Sequence, residues 1–340
     1  MKVSSRACRR RPPPVTMTTL HRKFCYAIVY GVALFVLSYI LVYQMTTPYK
    51  TEVHCANNDF VLALAERASP DRFVVVALVD TAFADMAINL YEASLRPTGV
   101  DNFLFVGAGR RACEILGNAS LPCFTYAEDI TADVASVYMS QDFIRKMNIR
   151  TNMILDATEA GFTVLHTDLD VFFLRNPLPD LRVLMFGDQP ASGGRHRGSG
   201  GGGADIAAMW DSVAFNAGFV VVRPTRLGRE VYLTMKRITK QSPRVDDQRA
   251  MNLALRRMQR LRRRERFQPI ALNRHRYVCG VDYFERKEIP LFPEEVPRRR
   301  DGSDYSVVHN NWIVSKEAKI YRFKEHLMWM LDTGKICLNS

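Results

Sequence analysis

Residues 166–177 read HTDLDVFFLRNP, directly after the short β-type run Phe162–Leu165. The run predicts a strand, and Asp168 and Asp170 stand at its carboxyl end. A strand that stops on Asp-x-Asp turns both acids into one crevice, and open α/β sheets bind ligands outside the carboxyl ends of their strands. Two adjacent carboxylates are hard oxygen ligands suited to Mg²⁺ or Mn²⁺, which in turn can hold phosphate oxygens. The stretch therefore points to an α/β domain that handles a nucleotide diphosphate.

Working outward toward the N-terminus, the pattern repeats as strand and helix. RFVVVALVD (72–80) reads as a fully buried strand, Phe83–Leu95 as a helix stopped by Pro97 and Gly99, and Asn102–Val106 as a second strand. Arg111–Leu116 reads as a short helix and Pro122–Tyr126 as a third strand. Ser140–Ala160 reads as a long helix with Phe143, Met147, Ile154 and Ala157 near one face, ending at Gly161. Strands and helices alternating at this spacing predict βαβ units and a largely parallel sheet flanked by helices.

Downstream of the acidic pair, Gly187–Gly203 collapses to GDQPASGGRHRGSGGGG, a flexible loop by composition without the strand–GxGxxG–helix setting of a dinucleotide fingerprint. FNAGFVVVRPT (215–225) follows as a strand. Its Asn216 can hydrogen-bond hydroxyls, and its Gly218 lets the backbone approach a sugar, although an ordinary turn into a strand has the same composition. Asp246, Asp247 and Gln248 open a helix continuing through Met251 and Leu255. They serve as an N-cap on one reading and as catalytic groups near the donor sugar on the other. His309-Asn310-Asn311-Trp312 ends the strand-like Tyr305–Val308 much as the aspartates end theirs, so His309 can complete a metal shell with Asp168 and Asp170. Lys316 and Lys319 are candidates to neutralise a leaving diphosphate.

The N-terminus belongs to a different class of segment. Phe24–Met45 is a 22-residue run without a charged side chain, long enough to span a bilayer. Lys2, Arg6, Arg9, Arg10, Arg11, Arg22 and Lys23 precede it with no acid, which predicts a cytosolic tail (1–23), a signal-anchor helix (24–45), a stem (46–70) and a luminal domain (71–335). A cleaved signal peptide is the rival reading, but its apolar core is shorter and no tidy small-x-small cleavage site follows Ser38. The formal charge of +12 falls to +5 once the seven basic residues of the tail are set aside. Much of that remainder lies in Arg249–Arg266, where the spacing of Leu253, Met258 and Leu261 predicts an amphipathic helix with a solvated arginine face rather than a nucleic-acid site. An acidic glycan acceptor or an anionic membrane is the sharper alternative. Cys55, Cys113, Cys123, Cys279 and Cys337 lie on the luminal side, where disulfides are permitted and an odd count leaves at least one unpaired or bonded between chains. Cys113 and Cys123 flank the sequon Asn118-Ala119-Ser120, a glycosylation candidate.

HTDLDVFFLRNP, FNAGFVVVRPT, DDQ and HNNWIVSKEAKIYRFKEHLMW occur here in the order in which they resemble the nucleotide-diphospho-sugar transferases of glycosyltransferase family 77, from about Phe73 to Trp329. The resemblance implies a GT-A type, Rossmann-like mixed sheet, a UDP-sugar donor, a divalent metal (usually Mn²⁺) and retention of anomeric configuration; together with the N-terminal anchor the expected setting is the Golgi membrane, as a single-pass type II protein. Plant members include an α-1,3-xylosyltransferase that adds xylose to fucose, which places xylose first among donor sugars, with galactose and arabinose open. On the same resemblance Asp168 and Asp170 are the metal- and ribose-contacting pair and His309 the C-terminal metal ligand. Asn216 and Gly218 form the small turn beside the donor, with Lys316, Lys319 and Trp312 as further donor contacts. Asp247 and Gln248, next to Asp246, form the acidic element near the sugar. Ser315 stands where members often have Gly, and the Gly-rich insert is a departure that bears on the acceptor.

Two other classes share parts of this pattern. Haloacid-dehalogenase phosphatases use Asp-x-Asp after their first strand, but want Thr or Val two positions beyond the second Asp, where Phe172 stands. A catalytically inactive, membrane-anchored glycan-binding or scaffold protein could keep the same fold; metal-dependent UDP binding separates it from an enzyme.

Overall fold

The structure, a computed structural model, describes residues 32, 34–36, 38, 57–127, 135–137, 139–187, 203–211, 213–261, 267, 269–285 and 305–333. The chain divides into two units, Met1–Val53 and His54–Ser340. The predicted membrane helix at 24–45 and the basic tail lie almost wholly outside the described residues, among which no helix is long and apolar enough to cross a membrane. Of the predicted loop 187–203, only Gly187 and Gly203 are described.

Among the described residues of the second unit, β1 (Phe73–Val79), β2 (Phe103–Gly107), β3 (Cys123–Thr125), β4 (Thr163–Thr167), β6 (Ile206–Asp211), β7 (Ala214–Val222) and β8 (Ile270–Ala271) form one sheet in the order β3-β2-β1-β4-β7-β6-β8. β1 pairs parallel with β2 and β4, and β2 with β3, whereas β7 runs antiparallel to both β4 and β6. The expected mixed, largely parallel sheet is therefore present. β1 is apolar throughout because both its faces are covered: Val75, Ala77 and Val79 pack into one core cluster and Val74 and Val76 into the other, the period-2 alternation of a strand between two layers. A second sheet, β5 (Val171–Phe173), β10 (Val307–His309) and β9 (Tyr277–Cys279), follows directly from the Asp-x-Asp turn.

The helices are α1 (Asn58–Arg67), α2 (Ala84–Leu90), α3 (Arg110–Asn118), α4 (Gln141–Glu159), α5 (Leu178–Phe186), α6 (Arg226–Gln241), α7 (Asp247–Leu261) and α8 (Lys316–Glu325). α1 falls inside the span read as a stem, yet Phe60 and Leu64 are fully buried and Phe60 packs on Phe124 and Tyr126; the folded unit reaches back at least to Asn57, whose side chain caps α1. In α4 the buried stretch is nearly continuous from Ile149 to Thr158, while Phe143 and Met147 are only half-buried, so the inward side is wider than the four apolar positions implied. α7 buries Ala250, Met251, Ala254, Leu255 and Met258 and exposes Arg249, Arg256 and Arg260. The solvated arginine face is as expected, but Leu253 and Leu261 belong to it rather than to the stripe. Cys113 and Cys123 form a disulfide joining α3 to β3, Cys279 is free and buried, and Asn118 at the end of α3 is exposed. Cys55 and Cys337 lie outside the described residues.

Candidate active site

The strand order reverses between β1 and β4, since the chain builds outward to β3 before returning on the other side of β1. That switch point is where an open α/β sheet leaves a crevice at the carboxyl ends of its strands. Asp168 and Asp170 follow β4 there, and their turn is pinned from two sides. The Asp168 amide donates to the Gly218 carbonyl of β7 at 2.7 Å, and the Asn310 amide donates to the Asp170 carbonyl at 2.8 Å. Antiparallel pairing sets His309 opposite Val171, the residue after Asp170.

These constraints bring Asp168, Asp170 and His309 together, each with a ligand atom within 4.8 Å of the others. His309 Nε2 lies 3.2 Å from Asp170 Oδ1 and 3.8 Å from Asp168 Oδ2. Asp170 and His309 are buried, whereas Asp168 keeps 33% of its side chain exposed and so opens the cluster to solvent. Gly218 is required by close approach: a Cβ there would run into the Asp168 carboxylate and the His309 ring.

The electrostatics are those of two acids kept ionised in a confined place. Burial would raise the Asp168 carboxyl, but the Arg150 guanidinium, with His166 and His309, holds it far below the carboxylate range. Burial acts the same way on Asp170 and is outweighed by Lys319, whose Nζ lies 2.6 Å from Asp170 Oδ2, and by His309. His309 loses basicity to burial and regains more from the two aspartates, so it rises above its ordinary value. His166, fully buried, is pushed down by burial. Two ionised carboxylates and one imidazole nitrogen converging on a point make a donor set that fits a divalent cation of intermediate softness such as Mn²⁺. To hold a cation His309 would have to be neutral, because only neutral imidazole ligates.

Arg150, on α4, is the residue that sequence reasoning missed. Its Nη1 donates to Asp168 Oδ1 at 2.5 Å, and its Nη2 pairs with Asp247. Asp247 is thereby brought to the edge of the cluster, with only 7% of its side chain exposed. Of its neighbours, Asp246 accepts from the Arg249 amide at 2.7 Å and caps α7, and Gln248 accepts from the Ala217 amide at 3.2 Å. Asn216 accepts from the Gly218 amide at 2.7 Å and donates to Asp211 at 3.2 Å, two residues before the glycine that lies against Asp168. The two lysines part company. Lys319 joins the cluster, while Lys316 turns away to Asp85 at 2.7 Å and the Ala82 carbonyl at 2.6 Å. Trp312 lies on the rim, its indole N–H donating to Asp211 at 2.5 Å. At the end of β1 a second buried pair, Asp80 and Lys146 at 2.5 Å, lines the same switch point.

The sheet opens a crevice at its switch point and places two acids and a histidine there, a donor set that fits a divalent cation. The family model for nucleotide-diphospho-sugar transferases matches residues 98–323, more than half of the chain, and the chain belongs to that family. A UDP-galactose:fucoside alpha-3-galactosyltransferase of Dictyostelium discoideum is 23% identical over 224 residues, 62% of this chain and 32% of that protein. An uncharacterised protein of Arabidopsis thaliana is 33% identical over 88 residues, 25% of this chain and 27% of that protein. The chain spans about a third or less of the length of these relatives. Among solved structures, the galactosyltransferase LgtC with donor and acceptor sugar analogues is similar at 14% identity, covering 74% of this chain and 94% of that one with a TM-score of 0.41. The apo form of the glycosyltransferase GlyE of Streptococcus pneumoniae TIGR4 is similar at 16% identity, 75% and 60% coverage and a TM-score of 0.42. None of these proteins is named as a xylosyltransferase.

Proposed function

We propose that the chain moves a sugar from a UDP-sugar to a hydroxyl of a glycan acceptor, with Mn²⁺ or Mg²⁺ held by Asp168, Asp170 and His309. The observation that carries this reading is the convergence of those three ligand atoms within 4.8 Å at the switch point of the sheet. The cation, when bound, supplies electrostatic stabilisation of the diphosphate as its charge grows. The chain's own residues do the rest. Lys319 stands within reach of the departing diphosphate, and Arg150 fixes the rotamers of Asp168 and Asp247. Asp247, buried and held by a guanidinium, suits an orienting role toward the donor sugar better than that of an attacking nucleophile. In the transfer, the bond from the anomeric carbon to the diphosphate oxygen breaks, a bond to the acceptor oxygen forms, and the acceptor proton is released.

The finer reading keeps the donor to UDP-xylose or UDP-galactose, with arabinose third. Family resemblance supports xylose, and the name of the Dictyostelium relative supports galactose. Retention of configuration and a type II Golgi placement with the domain in the lumen complete the proposal. The apolar run Phe24–Met45 supports the anchor, and the Cys113–Cys123 disulfide and exposed Asn118 suit an oxidising, glycosylating compartment.

The test is UDP release by the purified full-length chain from a panel of UDP-sugars, with and without Mn²⁺, beside an Asp170→Asn control. Metal-dependent release from one sugar, lost in the variant, is expected. Absence of both release and metal-dependent UDP binding by calorimetry would overturn the reading in favour of an inactive scaffold.

A further inference from the structure

Asp211 ends β6 and is buried, and among the described ion pairs none joins it to a Lys, Arg or His; its carboxylate is met by neutral donors. Asn216 Nδ2 donates to Oδ2 at 3.2 Å, and Asn311 Nδ2 and Trp312 Nε1 donate to Oδ1 at 3.1 and 2.5 Å. A buried carboxylate needs such donors to remain in the core. Here they come from two separate segments, each leading straight to the candidate cluster: Asn216 is two residues from Gly218, and Trp312 three residues from His309.

Trp312 is an unusual residue for that position. It is 54% exposed, while Trp329 is buried, and its backbone sits at φ +59°, a left-handed conformation that costs a bulky side chain free energy. Indole rings placed only for folding are buried on average. The loop that carries this one is also held firmly. The Asn311 side chain accepts from the Gly280 amide at 2.7 Å while donating to Asp211, and Gly280 is itself so close to the Asn311 backbone that no Cβ would fit. Val213 and Val314, two residues from Asp211 and Trp312 respectively, are exposed as well. The result is an aromatic face fixed in water at the rim of the crevice by a buried acid.

We propose that Trp312 is the platform on which one ring of the acceptor glycan stacks, and that Asp211 is the positioning residue that holds it there. This rests on the sugar-transfer reading above and moves Trp312 from the donor to the acceptor side of the site. The electron-rich face of an indole attracts the partly positive C–H face of a pyranose, and an acceptor ring on the rim brings a hydroxyl toward the crevice. Strain and exposure at Trp312 are then accounted for by binding, as with other outliers at ligand clamps.

The experiment uses the full-length chain, the UDP-sugar that the hydrolysis panel selects, and the methyl glycosides of α-L-fucose, β-D-galactose, β-D-xylose and α-L-arabinose as acceptor probes. Trp312→Ala is expected to raise the KM for the glycoside tenfold or more while changing the donor KM in acceptor-free hydrolysis by no more than about twofold. Trp312→Phe recovers part of the loss, since it keeps a ring, and Asp211→Asn falls between the two. Equal effects on donor hydrolysis and transfer would overturn the proposal and return Trp312 to the donor. So would transfer by the wild type to none of the four glycosides. Saturation-transfer NMR of the same glycosides on the unreacted chain gives a readout independent of turnover: binding by wild type and not by Trp312→Ala is expected, and equal binding overturns the platform. Absence of hydrolysis by the wild type strikes the transferase reading instead, and leaves the NMR comparison to judge the platform alone.

Discussion

Arg150 bridges Asp168 and Asp247, one guanidinium nitrogen on each carboxylate, and so couples the turn after β4 to the start of α7. Side chains that lie 79 residues apart in sequence are locked through a cation that belongs to neither segment. Removing the cation leaves Asp247 buried without its partner, a loss of about 3 kcal/mol for a buried pair broken on one side. Asp168, one-third exposed, adds less because water screens it. Arg150→Met is therefore expected to lower the melting temperature by roughly 5–10 °C. Arg150→Met combined with Asp247→Leu should regain much of that stability while activity stays lost. Thermal melts of the two variants check it; a double variant no more stable than the single one would show that the pair is not the source of the loss.

The two lysines of α8 give a sharper contrast. Both were candidates for the leaving diphosphate, but Lys319 lies against Asp170 and Lys316 against Asp85. Lys319→Ala is expected to reduce kcat a hundredfold or more, as removal of one preorganised electrostatic group does. Lys316→Ala should stay within about threefold, since its amine is engaged by Asp85 and the Ala82 carbonyl and not by the aspartate pair. Steady-state UDP release separates them, and equal losses would place Lys316 in the site after all.

Metal binding and pH are linked through His309. The paired aspartates raise its basicity despite burial, so in the metal-free protein the imidazolium persists to a higher pH than that of an ordinary histidine. A cation needs the neutral ring and must displace that proton; as pH falls through the raised value, the proton wins. The increase in melting temperature produced by Mn²⁺ should thus be larger at pH 8 than at pH 6, and His309→Asn should flatten the dependence. A Mn²⁺ effect independent of pH would take His309 out of the ligand set.

The sheet was legible in the sequence because its strands are continuous apolar runs cut by Gly and Pro, and because His166–Asp170 sits at the end of one. β5, β9 and β10 were harder, being three residues long, too short for a period to show; only His309 at the end of β10 betrayed its strand. The direction of β7 was not legible at all, since parallel and antiparallel pairing leave the same alternation in one strand. Arg150 was missed for a different reason. The reading of α4 followed its apolar positions, yet Lys146 and Arg150, four residues apart, are both buried on the inward side of that helix. Two cations spaced i, i+4 within an apolar stripe were the available signal, because such charges enter a core only when acids wait for them. Here those acids are Asp80 for Lys146, and Asp168 with Asp247 for Arg150.

Ser315 shows how a departure in sequence becomes a measurable strain. The resemblance drawn from the sequence implies Gly at this position, and the backbone lies at φ +79°, ψ 152°, a region that glycine alone enters freely. Holding a serine there costs about 1–3 kcal/mol. The side chain offsets part of this, because its Oγ accepts from the Ala318 amide at 3.2 Å and caps α8, the helix that delivers Lys319. Exchanging a serine cap for glycine loses only a few tenths of a kcal/mol, and the extra freedom of glycine in the unfolded chain about 0.5–1 more. Strain of about 2 kcal/mol, the middle of that range, exceeds the sum, so Ser315→Gly is expected to stabilise the protein by about 1 kcal/mol. Ser315→Ala keeps the strain and loses the cap, and should destabilise it by about the same amount. Urea denaturation of the three proteins gives the order Gly, Ser, Ala from most to least stable. A Gly variant less stable than the wild type would mean that the cap, and not the backbone, governs the start of α8.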